Sequence, residues 1–207
     1  LLATYKDGKA HLNAYLDDYA FLIAGGLELL QARFRADDLG FVVALADVLL
    51  EKFEDRDHGA FYFTADDHER LVYRPKPTAD EATPAGNGIA AQALQRLGHL
   101  LGETRYLDAA ARALTALAGA VAQYPSAHAS LLIALGEHLE PPQTVVLRGR
   151  EPALSAWQAR CAAGFAPGRI ALAIPDDATA LPGLLAQRTP QGEVTAYVCS
   201  GHSCRAP

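Results

Sequence analysis

Between Leu12 and Phe34 apolar residues recur at intervals of three and four: Leu12, Leu16, Tyr19, Ile23, Gly26, Leu27, Leu30 and Phe34. That period marks one face of an α-helix, here about Asn13 to Phe34. The remaining faces carry Phe21, Leu22 and Leu29, so this helix is apolar nearly all round. Such a helix is stable only where neighbours cover it on several sides. The rest of the chain must supply those neighbours. Asp17 and Asp18 interrupt the apolar surface, and one of them is expected to face a cavity, a polar partner or a neighbouring helix end.

The neighbours are legible. Asp37-Asp38 is an N-cap signal for a second helix, about Leu39 to Phe53, with Phe41, Leu45, Val48 and Leu49 as its stripe. A third starts at Gly86-Asn87, with Asn87 as its expected N-cap. It runs through Ile89, Ala93, Leu94, Leu97 and Leu101 and stops at Gly102. Thr104 opens a fourth, which Tyr124-Pro125 closes, and Ser126 can cap a fifth through about Leu139. Helices one and two, and three and four, form antiparallel hairpins. Repeated hairpins of this size, with Ala and Gly at contact positions, point to a toroid of hairpins, with a simple bundle as the alternative. Roughly five helices are too few to close such a ring. The chain also lacks methionine and starts Leu1-Leu2, so it reads as a fragment of a longer protein.

The stretch from Asp57 to Asn87 separates the two hairpins. Two strand-like runs, about Ala60–Thr64 and Arg70–Arg74, flank an acidic turn and predict a β-hairpin insertion. Pro75, Pro77 and Pro84 forbid helix across the segment that follows. Glu140-Pro141-Pro142 marks a boundary between residues 1–140 and 141–207. Beyond it, Thr144–Leu147, Arg169–Ile174 and Val194–Cys199 read as strands, Pro152–Ala163 as a helix and Leu181–Gln187 as a short helix. That alternation predicts a small α/β appendage.

Composition excludes some functions. Half of the 207 residues are apolar and the formal net charge is -6, so there is no clustered basic footprint for nucleic acid. No apolar run reaches the ~18 residues a membrane span needs, and the first residues lack the features of a signal peptide. Three cysteines, Cys161, Cys199 and Cys204, do not make a secreted disulfide framework. A reducing, cytoplasmic setting is expected. Cys199 and Cys204 flank His202, but the spacing is not that of a zinc pair and no second pair accompanies it. Two reduced thiols are expected there, with a redox pair as the alternative. No metal or other cofactor is expected.

Several motifs stand in a recognisable order: Tyr15-Leu16-Asp17-Asp18-Tyr19-Ala20-Phe21, Gly59-Ala60-Phe61-Tyr62-Phe63-Thr64, Arg74-Pro75-Lys76 with Asp80, Pro84-Ala85-Gly86-Asn87, and Ala196-Tyr197-Val198-Cys199 with Cys204. In these the chain resembles, over essentially its whole length, the C-terminal part of the spermatogenesis-associated, thioredoxin-domain-containing family. The resemblance implies an N-terminal thioredoxin-like domain ahead of an α/α toroid like that of six-hairpin glycosidases and N-acylglucosamine epimerases. The fold expected here is therefore mainly α: a partial toroid with a β-hairpin insertion and a small C-terminal α/β unit. The thioredoxin-like domain and the rest of the toroid become expected partners. The family's Ser-Gly-Asn-Ser is replaced by Ala85-Gly86-Asn87-Gly88, which removes a hydroxyl on each side of the asparagine.

Two functions follow as expectations. In the first, Asp17 or Asp18 works with Asp80 or Glu81 as the acid and base of glycosidase- or epimerase-like chemistry. Such carboxyls sit roughly 5–5.5 Å apart in retaining glycosidases and 6.5–9.5 Å in inverting ones. Tyr19, Tyr62, Arg74, Lys76 and Asn87 would bind a carbohydrate-like small molecule, Arg74 by forking onto an anionic group. In the second, the chain is a non-catalytic scaffold for the thioredoxin-like domain, and the same residues pin loops or cap helices. The two diverge on whether Asp17, Asp18, Arg74, Asp80 and Asn87 share one concave site.

Overall fold

A computed structural model describes residues 1–69, 72–201 and 203–205. The chain opens with strands β1 (Leu2–Lys6) and β2 (Lys9–Asn13), which pair antiparallel. The sequence reading did not anticipate this hairpin. Asp7-Gly8 makes its turn, with φ of 51° and 76°. Two successive positive φ values are what a two-residue hairpin turn demands, and Asp-Gly supplies them at least cost.

Helices α1 (Leu16–Ala32) and α2 (Ala36–Lys52) follow where the periodicity placed them. Asp37 and Asp38 lie inside the first turn of α2. There their charge complements the helix dipole, whereas the residue before the helix is Arg35. Helices α3 (Gly86–Leu101) and α4 (Thr104–Gln123) meet at Gly102, whose φ of 72° ends α3 in the left-handed region. A 3-10 turn at Pro125–Ala127 leads to α5 (Ala129–Leu139). Helix α3 is the hub, packed against α1, α4 and α5. Leu94, Leu97, Tyr106, Ala110 and Leu131 are fully buried in the shared core.

Among the described residues, the expected hairpin over Ala60–Thr64 and Arg70–Arg74 is not seen. Phe61 makes one isolated bridge to Glu54, and residues 72–74 are irregular. Arg70 and Leu71 lie outside the described residues. Two physical reasons account for the described part. Prolines at 75 and 77 cannot donate to a ladder. The N–H and C=O of Phe61 are both taken by the Asn87 side chain, so that residue has no backbone groups left for a partner strand.

The C-terminal part is α/β. Strands β3 (Gln143–Gly149) and β4 (Arg169–Pro175) run parallel and are joined through α6 (Ala153–Ala162). Strands β5 (Val194–Ser200) and β6 (Ser203–Cys204) complete the order β4-β3-β5-β6 with antiparallel pairings, after a 3-10 turn at Gly183–Gln187. Alternation along the strands gives the sheet two buried faces. Val145, Leu147 and Ala173 pack with Leu154 of α6. Val146, Leu172, Ile174 and Tyr197 join the helical core. Gln31 of α1 adds a polar tie, its side-chain oxygen accepting the Ala171 amide at 3.0 Å.

Cys199 and Cys204 are bonded as a disulfide, not two reduced thiols. They stand directly opposite each other in the β5–β6 register, where side chains of an antiparallel pair approach most closely. Cys161 is free. His202 lies outside the described residues. Among the described residues no helix is long and apolar enough to cross a membrane. The chain is thus mainly α with two small sheets.

Helices α3 and α5 approach each other closely at Gly88. A Cβ there would stand 2.2 Å from Ser130 Oγ and 2.8 Å from the Ser130 backbone. Gly88→Ala must push α3 and α5 apart, a loss of about 1–3 kcal/mol in line with overpacked cores. On α4, Gly119 has nothing within 4 Å, so Gly119→Ala is expected to be neutral or to gain ~0.5–1 kcal/mol from helix propensity. Urea denaturation of the two variants checks the contrast, and equal midpoints would contradict the close approach.

Candidate functional site

Of the expected site residues, Asp17, Asp80 and Asn87 meet the N-terminus of α3, where they bind the chain itself. Asn87 is not an N-cap. Ala85 occupies that position, and Asn87 lies within the first turn, fully buried. Its Oδ1 accepts the Phe61 amide at 2.8 Å, and its Nδ2 donates to the carbonyls of Phe61 (3.0 Å) and Pro77 (2.9 Å). One side chain thereby staples both arms of the 57–87 stretch to α3.

Asp80 caps two elements at once. Its Oδ1 accepts the Ala85 amide at 2.8 Å and the Ser130 hydroxyl at 2.5 Å, and its Oδ2 accepts the Ser130 amide at 2.8 Å. The last bond lies in the first turn of α5, where free N–H groups favour an anion. Burial alone would raise the Asp80 carboxyl, but the Ser130 hydroxyl and the surrounding amides win and hold it below its ordinary range. The neighbouring Glu81 is exposed.

Asp17 approaches the same helix end from α1. It accepts a hydrogen bond from the Gly86 amide. Its Oδ1 lies 2.0 Å from where a Cβ on residue 86 would sit, so a larger residue there would displace the Asp17 carboxylate. Burial, then the charge of Asp18, pushes the Asp17 carboxyl up, and the Gly86 bond only partly offsets this. Asp18 turns away to cap its own helix, accepting the Tyr15 amide at 2.8 Å. Asp17 and Asp80 thus bracket consecutive residues, Ala85 and Gly86, with carboxyls perturbed in opposite directions.

A second cluster centres on Asp55, which the sequence reading did not single out. Asp55 is buried. It accepts the Tyr62 hydroxyl and the Lys76 ammonium, each at 2.7 Å, and the amides of Asp57 (3.1 Å) and His58 (3.0 Å). The Lys76 bond first, then that from Tyr62, holds its carboxyl far below the usual range. The same Asp55 bond raises the Tyr62 phenol. Lys76 also donates to the Gly59 carbonyl at 2.7 Å. Arg74 lies 4.0 Å from the Tyr62 ring centre and donates to the Thr64 carbonyl at 2.6 Å. The available signal was Asp55 followed at two and three residues by amides it could accept, an Asx-type turn closed by Gly59. Four charged residues in a row, Glu54 to Asp57, obscured it.

Tyr19 is set apart from both clusters. It is buried with its ring 5.1 Å from that of Phe53, beside a cavity of about 190 Å³. A surface groove of about 610 Å³ between α2 and α4 is lined by Asp47, Glu54, Arg105, Asp108 and Arg112 among others, none of them an expected site residue. Glu54 there takes both Nε and Nη2 of Arg112. Asp47 accepts from Tyr106 and pairs with Arg105.

Fold and site together define a mainly helical protein whose polar residues hold an irregular crossover against a helix N-terminus. No family model matches the chain. It is similar, weakly but consistently, to spermatogenesis-associated protein 20. Identity is 26% over 201 residues with the Homo sapiens protein, covering 93% of this chain and 26% of that protein. It is 27% over 203 residues with the Rattus norvegicus protein and 26% over 202 residues with the Mus musculus protein. The chain spans about a quarter of the length of these curated relatives.

Proposed function

We propose that this chain is a helical platform for protein–protein contact, an arc of an α/α toroid serving a thioredoxin-like domain. The observation that carries this reading is the division of labour among its side chains. Asp18, Arg74, Lys76, Asp80 and Asn87 all bind the chain's own backbone, whereas α1 turns apolar side chains to solvent. Leu22, Gly25 and Leu29 share one helix face and are exposed, the two leucines at 45% and 44%, and Phe41 of α2 is exposed at 51%. Apolar side chains aligned in this way are a mark of contact surfaces. The order of packing fits an arc, because α3 lies against both α1 and α5, as the inner helices of consecutive hairpins do.

A second reading keeps one specific support. Asp17 and Asp80 bracket the α3 N-terminus with carboxyls driven apart, one up and one down. Opposite perturbation of paired carboxyls is how a site obtains an acid and a base at one pH. The ligand would be carbohydrate-like.

One experiment separates them. Leu22→Glu combined with Leu29→Glu should leave the helical spectrum and melting temperature unchanged, because both leucines are exposed. It should weaken binding to a thioredoxin-like domain of the implied type at least tenfold, about 1.4 kcal/mol. Unchanged calorimetric affinity, or no binding by the parent chain, sinks the platform. Binding or turnover in a glycan panel that disappears in Asp17→Asn would establish the second reading instead.

A further inference from the structure

We propose that the Cys199–Cys204 disulfide is an exchangeable redox site that accepts two electrons from a dithiol, with Arg188 as the group that stabilises the departing thiolate. Three observations place it. First, the two cysteines differ in exposure: Cys199 is 8% exposed, whereas Cys204 on the short strand β6 is exposed. An incoming thiolate reaches Cys204 and leaves Cys199 as the buried leaving group. Second, Arg188 donates Nη2 to both sulfurs, at 3.1 Å to Cys204 Sγ and 3.4 Å to Cys199 Sγ. Among the described residues it forms no ion pair with a carboxylate, so its charge is directed at the sulfurs. Its guanidinium lies 5.1 Å from the Tyr197 ring centre, and its carbonyl accepts from Arg148 at 3.0 Å. These contacts hold the group in place. Third, both sulfurs border a cavity of about 210 Å³ walled by Gly98, Gly102, Leu107 and Leu184. This cavity lies between the α3–α4 turn and the sheet, and it has room for a small thiol.

The chemistry balances. A reductant thiolate attacks Cys204 Sγ, the Cys204–Cys199 bond breaks, and Cys199 departs as a thiolate beside Arg188. The second thiol of the reductant, once deprotonated, attacks its own sulfur in the mixed disulfide and releases Cys204 as a thiolate. The reductant leaves as a cyclic disulfide, having lost two electrons and two protons, and the chain gains two thiols. A cation beside a sulfur favours the thiolate, whose ordinary pKa is about 8.5, and a better leaving thiolate speeds exchange. This site is separate from the α3 cluster and does not depend on the platform reading.

The test is reduction of the folded chain by dithiothreitol, followed by trapping of thiols with an alkylating agent and mass measurement. The parent should be reduced at Cys199 and Cys204 without loss of its circular dichroism. Arg188→Gln should slow that reduction about tenfold and raise the pH at which the freed Cys199 alkylates, each tenfold corresponding to about 1.4 kcal/mol. Arg188→Lys should restore much of the rate. In Cys199→Ser, Cys204 should form a mixed disulfide with oxidised glutathione. A disulfide reduced only after denaturation overturns the proposal even if the arginine variants fail to fold. So does an equal reduction rate in folded Arg188→Gln.

Discussion

Asn87→Ala is expected to be among the most damaging single substitutions in this chain, lowering stability by about 4 kcal/mol. The side chain is fully buried and all its bonds go to backbone groups of other segments. Alanine strands the buried Phe61 amide and carbonyl and removes a donor from the carbonyl of Pro77, an exposed residue. Each buried backbone group left without a partner costs about 1–3 kcal/mol. The chemistry of the position adds a sharper expectation. Asn87→Asp keeps the acceptor for Phe61 N–H but presents a carboxylate to two carbonyls that need a donor. It should therefore do no better than alanine, despite its shape. Urea denaturation of both variants, with hydrogen exchange at the Phe61 amide, checks this. A loss below ~1 kcal/mol in Asn87→Ala, or a near-native Asn87→Asp, would show that the staple is dispensable.

Asp55→Asn is expected to cost roughly 3 kcal/mol at neutral pH, and the cost should shrink in acid. The carboxylate faces Lys76, Tyr62 and two amides while only 8% of its side chain is exposed. The neutral isostere leaves a largely buried ammonium without its counter-charge, the costly way to break a buried pair. The sign of the pH dependence follows from the direction of the shift. The folded carboxyl lies below its unfolded value of about 3.9. Its contribution is therefore complete above that pH and lost as pH falls through the folded value. The parent should lose stability below about pH 4, where Asn at this position is indifferent, so the two curves converge. Denaturation midpoints at pH 7 and pH 3 measure the gap, and a gap of equal size at both would refute the ionic account.

Helices were legible because one-dimensional periodicity reports which face is buried, and α1 through α4 lie where their stripes placed them; α5 starts at Ala129, after a 3-10 turn that holds the expected cap Ser126. The strands of the C-terminal unit were legible for the same reason, since short apolar runs between Gly and Pro breaks admit little else. The 57–87 stretch was not. Its Phe61-Tyr62-Phe63 run has strand propensity, but propensity says nothing of a side chain 26 residues away that takes the Phe61 backbone. Asp17, Asp80 and Asn87 were recognised as unusual, and the structure brings them to one helix end. Whether each would meet a ligand or a backbone amide depends on neighbours distant in the chain: Gly86 for Asp17, Ser130 for Asp80, Pro77 for Asn87.

The sequence by itself determined the helical class, the order of the helices, the α/β character of the tail and the resemblance carried by its motifs. These depend on local period and local breakers, which a linear chain displays. Only the tertiary structure decided that Asp55 anchors the crossover, that Cys199 and Cys204 are joined with Arg188 against both sulfurs, and that the polar motif residues face inward. Those outcomes depend on which donors and acceptors meet after the helices pack. A hydrogen bond spans about 3 Å, a scale that spacing along the chain does not encode.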